Sequence, residues 1–360
     1  MKKLLLVLGL FVISGVQSAS AQTWEDAYAV PNMLGDGGLL QPNILDAGGA
    51  QYYNFQQHTT KICENNSVIP RDRIGFHFDA LQTVPVFAAI NGRTINRNFQ
   101  EYRFWFEKTF LDENLSVDLI LPLYYSTGDS QSQVDPTPTV MDGQFGQLAF
   151  GLKALLWEDQ EKAYSAGVRV EAPTGPNFTV TLPTVVPDAG FEMDAWYFTP
   201  WLGGQWTPGP NWFASAFVSY RLNSGALTNE RSNGFPPVDF RQPTYLFADL
   251  SIGRWIVQRE GQGGITSLAP VLELHYTTTP TAGSEVVGDE NGTYASGILL
   301  GKTDYLNLTA GLNGTYNDAW QFGIGAAMPL RTNARNVFPL WNTDRTFSWA
   351  LLANLNYYFR

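Results

Sequence analysis

Charge is scarce in this chain. Only 15% of its 360 residues are Asp, Glu, Lys or Arg, against about 25% in ordinary soluble domains. The charge that is present sums to −11. An acidic chain repels the phosphate backbone, so nucleic acid is excluded as a partner. Cysteine is nearly missing: Cys63 stands alone, which rules out an intramolecular disulfide and a Cys-rich metal site. Histidine is rare too, with His58, His77 and His275 the full set. No HExxH, CxxC, GxSxG or P-loop pattern occurs, so no metal or cofactor signature is present. Past the N-terminus no window of 18 consecutive apolar residues exists. A membrane-crossing helix is thereby excluded, and any membrane span has to be β.

What is abundant is aromatic. Trp, Tyr and Phe make up 14% of the chain, and apolar residues as a whole 44%. At the N-terminus Lys2 and Lys3 precede an apolar run from Leu4 to Ile13, and Ala19-Ser20-Ala21 supplies an A-x-A cleavage site. Residues 1–21 therefore read as a secretory signal peptide, with export across the inner membrane.

The C-terminus carries the most telling pattern. Phe347, Trp349, Leu351, Ala353, Leu355, Tyr357 and Phe359 alternate with Ser348, Ala350, Asn354 and Asn356; Leu352 and Tyr358 break the alternation. A side-chain period of two marks a strand with one apolar face. A chain that ends on such a strand fits an outer-membrane barrel, whose last strand pairs with its first and whose apolar face meets lipid.

The same phase recurs along the chain. Eleven further segments are expected at 73–81, 99–111, 115–125, 145–157, 163–172, 195–206, 212–223, 244–257, 268–278, 305–316 and 320–330. Each has about the length of a tilted transmembrane strand. Their connections alternate short and long, as periplasmic turns and outer loops do. The expected fold is all-β: a transmembrane antiparallel up-and-down β-barrel of about 12 strands over residues 71–360. Trp157, Trp206, Trp212, Trp255 and Trp320 fall beside the short connections. With Tyr357 and Phe359 they form a candidate aromatic girdle. The alternative, a soluble sandwich or propeller, would bury these apolar faces against each other.

Residues 22–70 stand outside the alternation and are rich in Gly, Pro, Asn and Gln. They are read as a periplasmic leader or as a plug folded back into the barrel. Tyr52–Glu64 is a weak extra strand that would raise the count to 14.

Strand phase assigns an inner face. It carries Asp79, Glu101, Arg103, Glu107, Asp118, Lys153, Arg169, Glu171, Arg221, Asp249, Glu273 and His275. In a water-filled lumen such charges set ion preference. In a narrow one they pair, for example Glu101 or Glu107 with Arg169 or Arg221. Inward Gly, Ser, Thr and Asn residues favour open space. His77 with Asp79, and His275 with Glu273, are possible proton-transfer dyads. Neither strand offers a nucleophile beside its histidine, so no enzyme activity and no catalytic residue is expected.

The stretch Tyr102-Arg-Phe-Trp-Phe-Glu-Lys-Thr-Phe110 leads into Leu115-Ser-Val-Asp-Leu-Ile-Leu-Pro122. With Glu171-Ala-Pro-Thr-Gly175 and the terminal Tyr357-Tyr-Phe359, it resembles outer-membrane barrel proteins of the MetA-pathway phenol-degradation and hydrophobic-compound transporter type. The resemblance covers roughly residues 70–360. It implies a channel or facilitator in the bacterial outer membrane for passive uptake of small molecules, apolar or aromatic ones included. It also implies outer-membrane lipid as surroundings and the barrel-assembly machinery as a partner during biogenesis. The usual terminal aromatic is here penultimate, because Arg360 follows Phe359. Outer-loop groups such as Phe235 with Pro236-Pro237, and Val337-Phe-Pro-Leu-Trp341, would form an entry site in such a transporter. A structural or adhesion barrel without an open pore is the competing reading, and a barrel hydrolase a third.

Overall fold

Alternating apolar and polar side chains put one face of each strand in water or lipid and the other in a core, and here twelve such strands close on themselves. The computed structural model describes residues 30–45, 51–88, 94–127, 144–175, 177–180, 189–192, 194–224, 227–231, 238–240, 243–259, 263–280, 287–288, 295–296, 304–331, 334–337, 340–343 and 345–359. The expected signal peptide lies outside them, as do Phe235 to Pro237, Phe338 and Pro339 of the expected loop entry site.

The wall runs β1 (Arg73–Ala88), β2 (Thr94–Phe110), β3 (Leu115–Thr127), β4 (Ala149–Glu158), β5 (Lys162–Glu171) and β6 (Tyr197–Trp206). It continues with β7 (Trp212–Asn223), β8 (Tyr245–Arg254), β9 (Ile265–Thr278), β10 (Asp304–Tyr316), β11 (Trp320–Pro329) and β12 (Trp349–Tyr358). Each strand pairs antiparallel with its sequence neighbours, and β12 closes the ring on β1 from Trp349↔Gln82 to Tyr358↔Arg73. The result is a closed 12-strand antiparallel barrel. Closure removes the open edges that would otherwise leave backbone donors and acceptors unpaired in lipid.

The short connections match their turn chemistry. Asn317 and Asp318 both take left-handed φ, 50° and 54°, as a two-residue hairpin turn that follows strand twist requires. Leu111, Asp112 and Glu113 turn through the same region between β2 and β3. β1 runs past its expected end at Leu81, through a register shift between Leu81 and Val84 with Thr83 at φ 57°. The expected segment 145–157 divides. Gln144–Phe145 pairs separately with the end of β3, and β4 proper begins at Ala149.

The outer face is apolar and bare. Leu202 is 62% exposed, Ile324 53%, Leu250 50% and Phe104 48%. Exposed apolar surface on a monomer in water is normally confined to patches of a few hundred Å². A continuous band around a closed ring is instead the lipid-facing surface of a transmembrane barrel. No described helix is long and apolar enough to cross a membrane; the crossing is made by strands.

Ahead of the wall, Leu39–Leu45 and Gln51–Thr59 form a hairpin. Its described strand pairing with the ring is Gln51 and Tyr52 with Ala88 and Phe87 at the far end of β1. The extra strand expected near Tyr52 exists, but β12 meets β1 directly, so the ring count stays at 12. Small sheets in the long connections complete the fold. The largest orders Val238–Phe240, Leu227–Arg231, Ala189–Glu192 and Phe178–Val180 side by side.

Candidate functional site

The inner face is polar, and a segment of the same chain is bonded to it. Residues 30–39 and 58–72 are buried apart from the half-buried Thr60, with Leu34, Asp36, Ile62, Cys63 and Glu64 among those fully so. Their partners are side chains that strand alternation turns inward.

One cluster centres on Arg103 in β2. Its guanidinium donates to Glu64 of the inner segment and to Asp79 of β1, and lies 3.2 Å from Glu101 Oε2. His77 and Asp79, two apart on β1, are joined at 2.7 Å between Nε2 and Oδ1. Glu101 Oε2 also stands 2.9 Å from His58 Nδ1, while His58 Nε2 donates to the Gly37 carbonyl at 2.7 Å. Cross-strand register explains the grouping: His77 is opposite Arg103, and Asp79 opposite Glu101. The expected His77–Asp79 dyad is thus locked into an ion-pair network, with Arg103 on the second carboxylate oxygen.

A second cluster centres on Glu107. Arg73 Nε reaches its Oε2 at 2.8 Å, and Lys153 Nζ its Oε1 at 2.8 Å. Ser116 and the Arg71 amide also donate to this carboxylate. Arg73 is the register partner of Glu107. Adjacent strands bring side chains to about 5 Å, closer than any partner across the lumen. The expected pairing of Glu101 or Glu107 with Arg169 or Arg221 is therefore not what forms. Arg221 bonds Glu171 at 2.7 Å and stacks on Tyr197 with its Cζ 3.5 Å from the ring centre. Arg169 donates to the Lys61 carbonyl. Arg73 and Arg169 lie 5.2 and 5.0 Å from the centre of the buried Trp105 ring. Asp118 is half-buried beside Gly151, its register partner on β4.

The third cluster joins the inner segment to β8, β9 and β10. The Leu34 and Gly35 amides donate to the two oxygens of Glu273 at 3.0 and 2.9 Å. Asp36 takes Lys61 Nζ at 2.6 Å and Asn307 Nδ2 at 2.8 Å. His275 Nδ1 is 2.9 Å from Asp249 Oδ1 and 3.9 Å from Cys63 Sγ. Burial, then the Asp249 carboxylate, pushes the Cys63 thiol well above its ordinary range. A protonated thiol is a poor nucleophile.

Inward glycines were read from sequence as open space. Leu34 fills it instead: it packs against Gly311, Gly323 and Gly325 on β10 and β11. A Cβ at Gly325 would stand 2.6 Å from Leu34 Cδ1 and 2.9 Å from the Ala310 carbonyl oxygen. These positions need glycine because Leu34 and the wall's own carbonyls and asparagine side chains leave no room for a Cβ.

Among the expected girdle residues, Trp157, Trp206, Trp212, Trp320 and Tyr357 are exposed on the outer face and Phe359 is half-exposed. Trp255 departs. It is buried, with its ring 4.5 Å from that of Phe213 and its amide on the Asn211 carbonyl. Its place beside a short connection suggests the girdle, but it stands in phase with the inward Asp249, Ser251 and Gly253, and Ile256 next to it is exposed.

No family model matches the chain, and no curated protein matches it in sequence. Among solved structures it is similar to an outer membrane channel from Pseudomonas putida F1. The identity is 15% and the TM-score 0.51, over 81% of this chain and 97% of that one. Two further likenesses are to the beta domain of the Bordetella autotransporter BrkA and to a deletion mutant of the TodX monoaromatic hydrocarbon channel. The first has 15% identity and a TM-score of 0.49, over 81% of this chain and all (100%) of that one. The second has 10% identity and a TM-score of 0.43, over 82% and 92%. The likeness to the Pseudomonas putida channel agrees with the barrel fold derived from the strand pairing.

Sequence alone missed His58, Lys61, Glu64 and Arg73 as members of these clusters. The available signal was local. Lys61-Ile-Cys-Glu64 is a charged patch inside a leader rich in Gly, Pro, Asn and Gln, and polar residues of that kind need partners once buried.

Proposed function

We propose that this protein is a bacterial outer-membrane channel for passive uptake of small molecules, in which residues 30–39 and 58–72 act as a plug. The observation that carries this reading is how the inner segment is held. Its contacts with the wall include buried ion pairs and hydrogen bonds to Arg103, Glu273, Asn307, Thr309 and Asn356. Groups of this kind can be rehydrated when the segment moves, and they leave behind a polar passage that water and solute can occupy. An interior meant only to stabilise a closed barrel is filled as well or better by apolar side chains, because buried ion pairs contribute little net stability.

The apolar or aromatic character of the solute rests on the sequence resemblance to hydrophobic-compound transporters. The lining supports selection by charge: Asp79, Glu101, Glu107, Asp118, Asp249 and Glu273 face inward with Arg103, Lys153, Arg169 and Arg221. Short turns at the Asn114 and Asn317 end face the periplasm in this reading, and the long connections face outward.

Single-channel conductance in planar bilayers tests it, with full-length mature protein and with a form lacking residues 22–70. Stable steps that appear or grow on deletion support a plugged channel. Silence in both forms, with the heat-dependent gel shift of a folded barrel intact, overturns it in favour of a structural barrel.

A further inference from the structure

The third cluster holds a donor set that the channel reading does not use. Cys63 Sγ, a carboxylate oxygen of Asp249 and a ring nitrogen of His275 all lie within 4.8 Å of one another, and all three residues are buried. They come from three elements: the inner segment, β8 and β9. Asp249 and His275 are register partners on adjacent strands, and the turn that follows Lys61 lays Cys63 over them.

Thiolate, imidazole and carboxylate together are the donor chemistry of a zinc-type divalent ion. Bonds of about 2.0 to 2.3 Å place tetrahedral donors roughly 3.3 to 3.8 Å apart. The 3.9 Å between Cys63 Sγ and His275 Nδ1 is near that spacing, and the 2.9 Å from His275 Nδ1 to Asp249 Oδ1 needs only a small opening.

Two further observations point to a ligand. Asp249 Oδ2 is buried with no hydrogen-bond partner, an expensive state for a carboxylate oxygen unless something else satisfies it. On the other side of the imidazole, His275 Nε2 lies 3.3 Å from Glu273 Oε2, within ion-pair reach though not aligned as a hydrogen bond. A carboxylate behind a histidine orients the ring of many metal ligands. The Lys61 ammonium is bonded to Asp36.

We propose that Cys63, Asp249 and His275 bind a divalent transition-metal ion of the zinc type, which ties the inner segment to the barrel wall. On binding, the Cys63 thiol and His275 Nδ1, whose proton bonds Asp249 Oδ1 in the metal-free site, each release a proton to solvent, and the freed sulfur and nitrogen lone pairs form the metal bonds. His275 binds as neutral imidazole through Nδ1 and keeps its proton on Nε2, facing Glu273. The fourth tetrahedral position is left to a small ligand. Nothing is oxidised or reduced.

The test uses full-length mature protein refolded with Co²⁺ present and then freed of excess metal by gel filtration. One cobalt per chain with a sulfur-to-cobalt charge-transfer band in the near ultraviolet is expected, and Zn²⁺ should bleach that band. Cys63→Ser should abolish the band, and His275→Ala and Asp249→Asn should each lower affinity about 10-fold or more. Zn²⁺ should also slow alkylation of Cys63 by a maleimide at least 10-fold. A barrel that passes the gel-shift test yet carries no cobalt, or carries it without the charge-transfer band, overturns the proposal. So does a band that survives Cys63→Ser. Because alkylation is read without any conductance, failure of the channel reading leaves this result intact.

Discussion

Arg103 of the wall and Glu64 of the inner segment form a fully buried ion pair, and the same guanidinium also serves Asp79 and Glu101. One cation thus lies against three carboxylates on two strands and a segment. Replacing it with Gln leaves that group of acids in a low-dielectric interior. Removing one partner of a buried pair costs about 3–5 kcal/mol. Arg103→Gln should therefore expel residues 58–72 from the wall. Limited proteolysis of the folded barrel checks this: cleavage within 58–72 should rise at least tenfold, while the wall stays resistant. Unchanged protection would show that Arg103 does not hold the segment.

Gly325→Val should force Leu34 from its niche. The added atoms meet both Leu34 and the Ala310 carbonyl oxygen, and overpacking of this kind costs about 1–3 kcal/mol. Combining it with Leu34→Ala should recover part of that loss, because the pair share one space. Denaturant unfolding of the two single variants and the double variant yields the coupling energy directly. Strict additivity would mean that the two residues do not meet.

Leu250→Arg tests the lipid face. Leu250 is half exposed near the middle of β8, and an arginine at the bilayer midplane of such a barrel costs about 2–4 kcal/mol. The loss should appear when the protein is unfolded from phospholipid vesicles. A neutral result would argue that water, not lipid, surrounds the belt.

Asp72 supplies a pH dependence at the entrance to β1. Burial raises its carboxyl, but the Lys108 ammonium and the hydroxyl and amide of Thr109 outweigh this and hold it below the ordinary 3.8. With a depressed folded-state value, its contribution is complete above that ordinary value and is lost as the pH falls through the folded one. The Thr109 amide resonance should titrate with a midpoint under 3.8. Asp72→Asn should erase that step. A midpoint at or above the ordinary value would refute the anchoring.

The wall was legible because a strand's side chains repeat every two residues, and ten or so residues of consistent phase outweigh a local irregularity. Phase failed where a bulge resets it, as at Thr83, whereas nearness to a turn misassigns Trp255, although its odd position shares the inward phase of Asp249, Ser251 and Gly253. It identified inward charges such as Glu107 but not their partners, since the Arg73↔Glu107 pairing depends on register between strands. Leu34 against three glycines and Cys63 beside His275 are tertiary meetings with no local signature. A glycine in a strand says only that something comes close, not what.

Leu34 and its three glycines also form a unit of inheritance. A larger residue at 311, 323 or 325 presses on Leu34 as well as on the wall, so it is better tolerated where position 34 has shrunk, and a chain that has lost the inner segment keeps only the wall's own demand for glycine there. Among descendants of this sequence, those four positions should change together, so that the occupant of the barrel can be read from the pattern of substitutions in its wall.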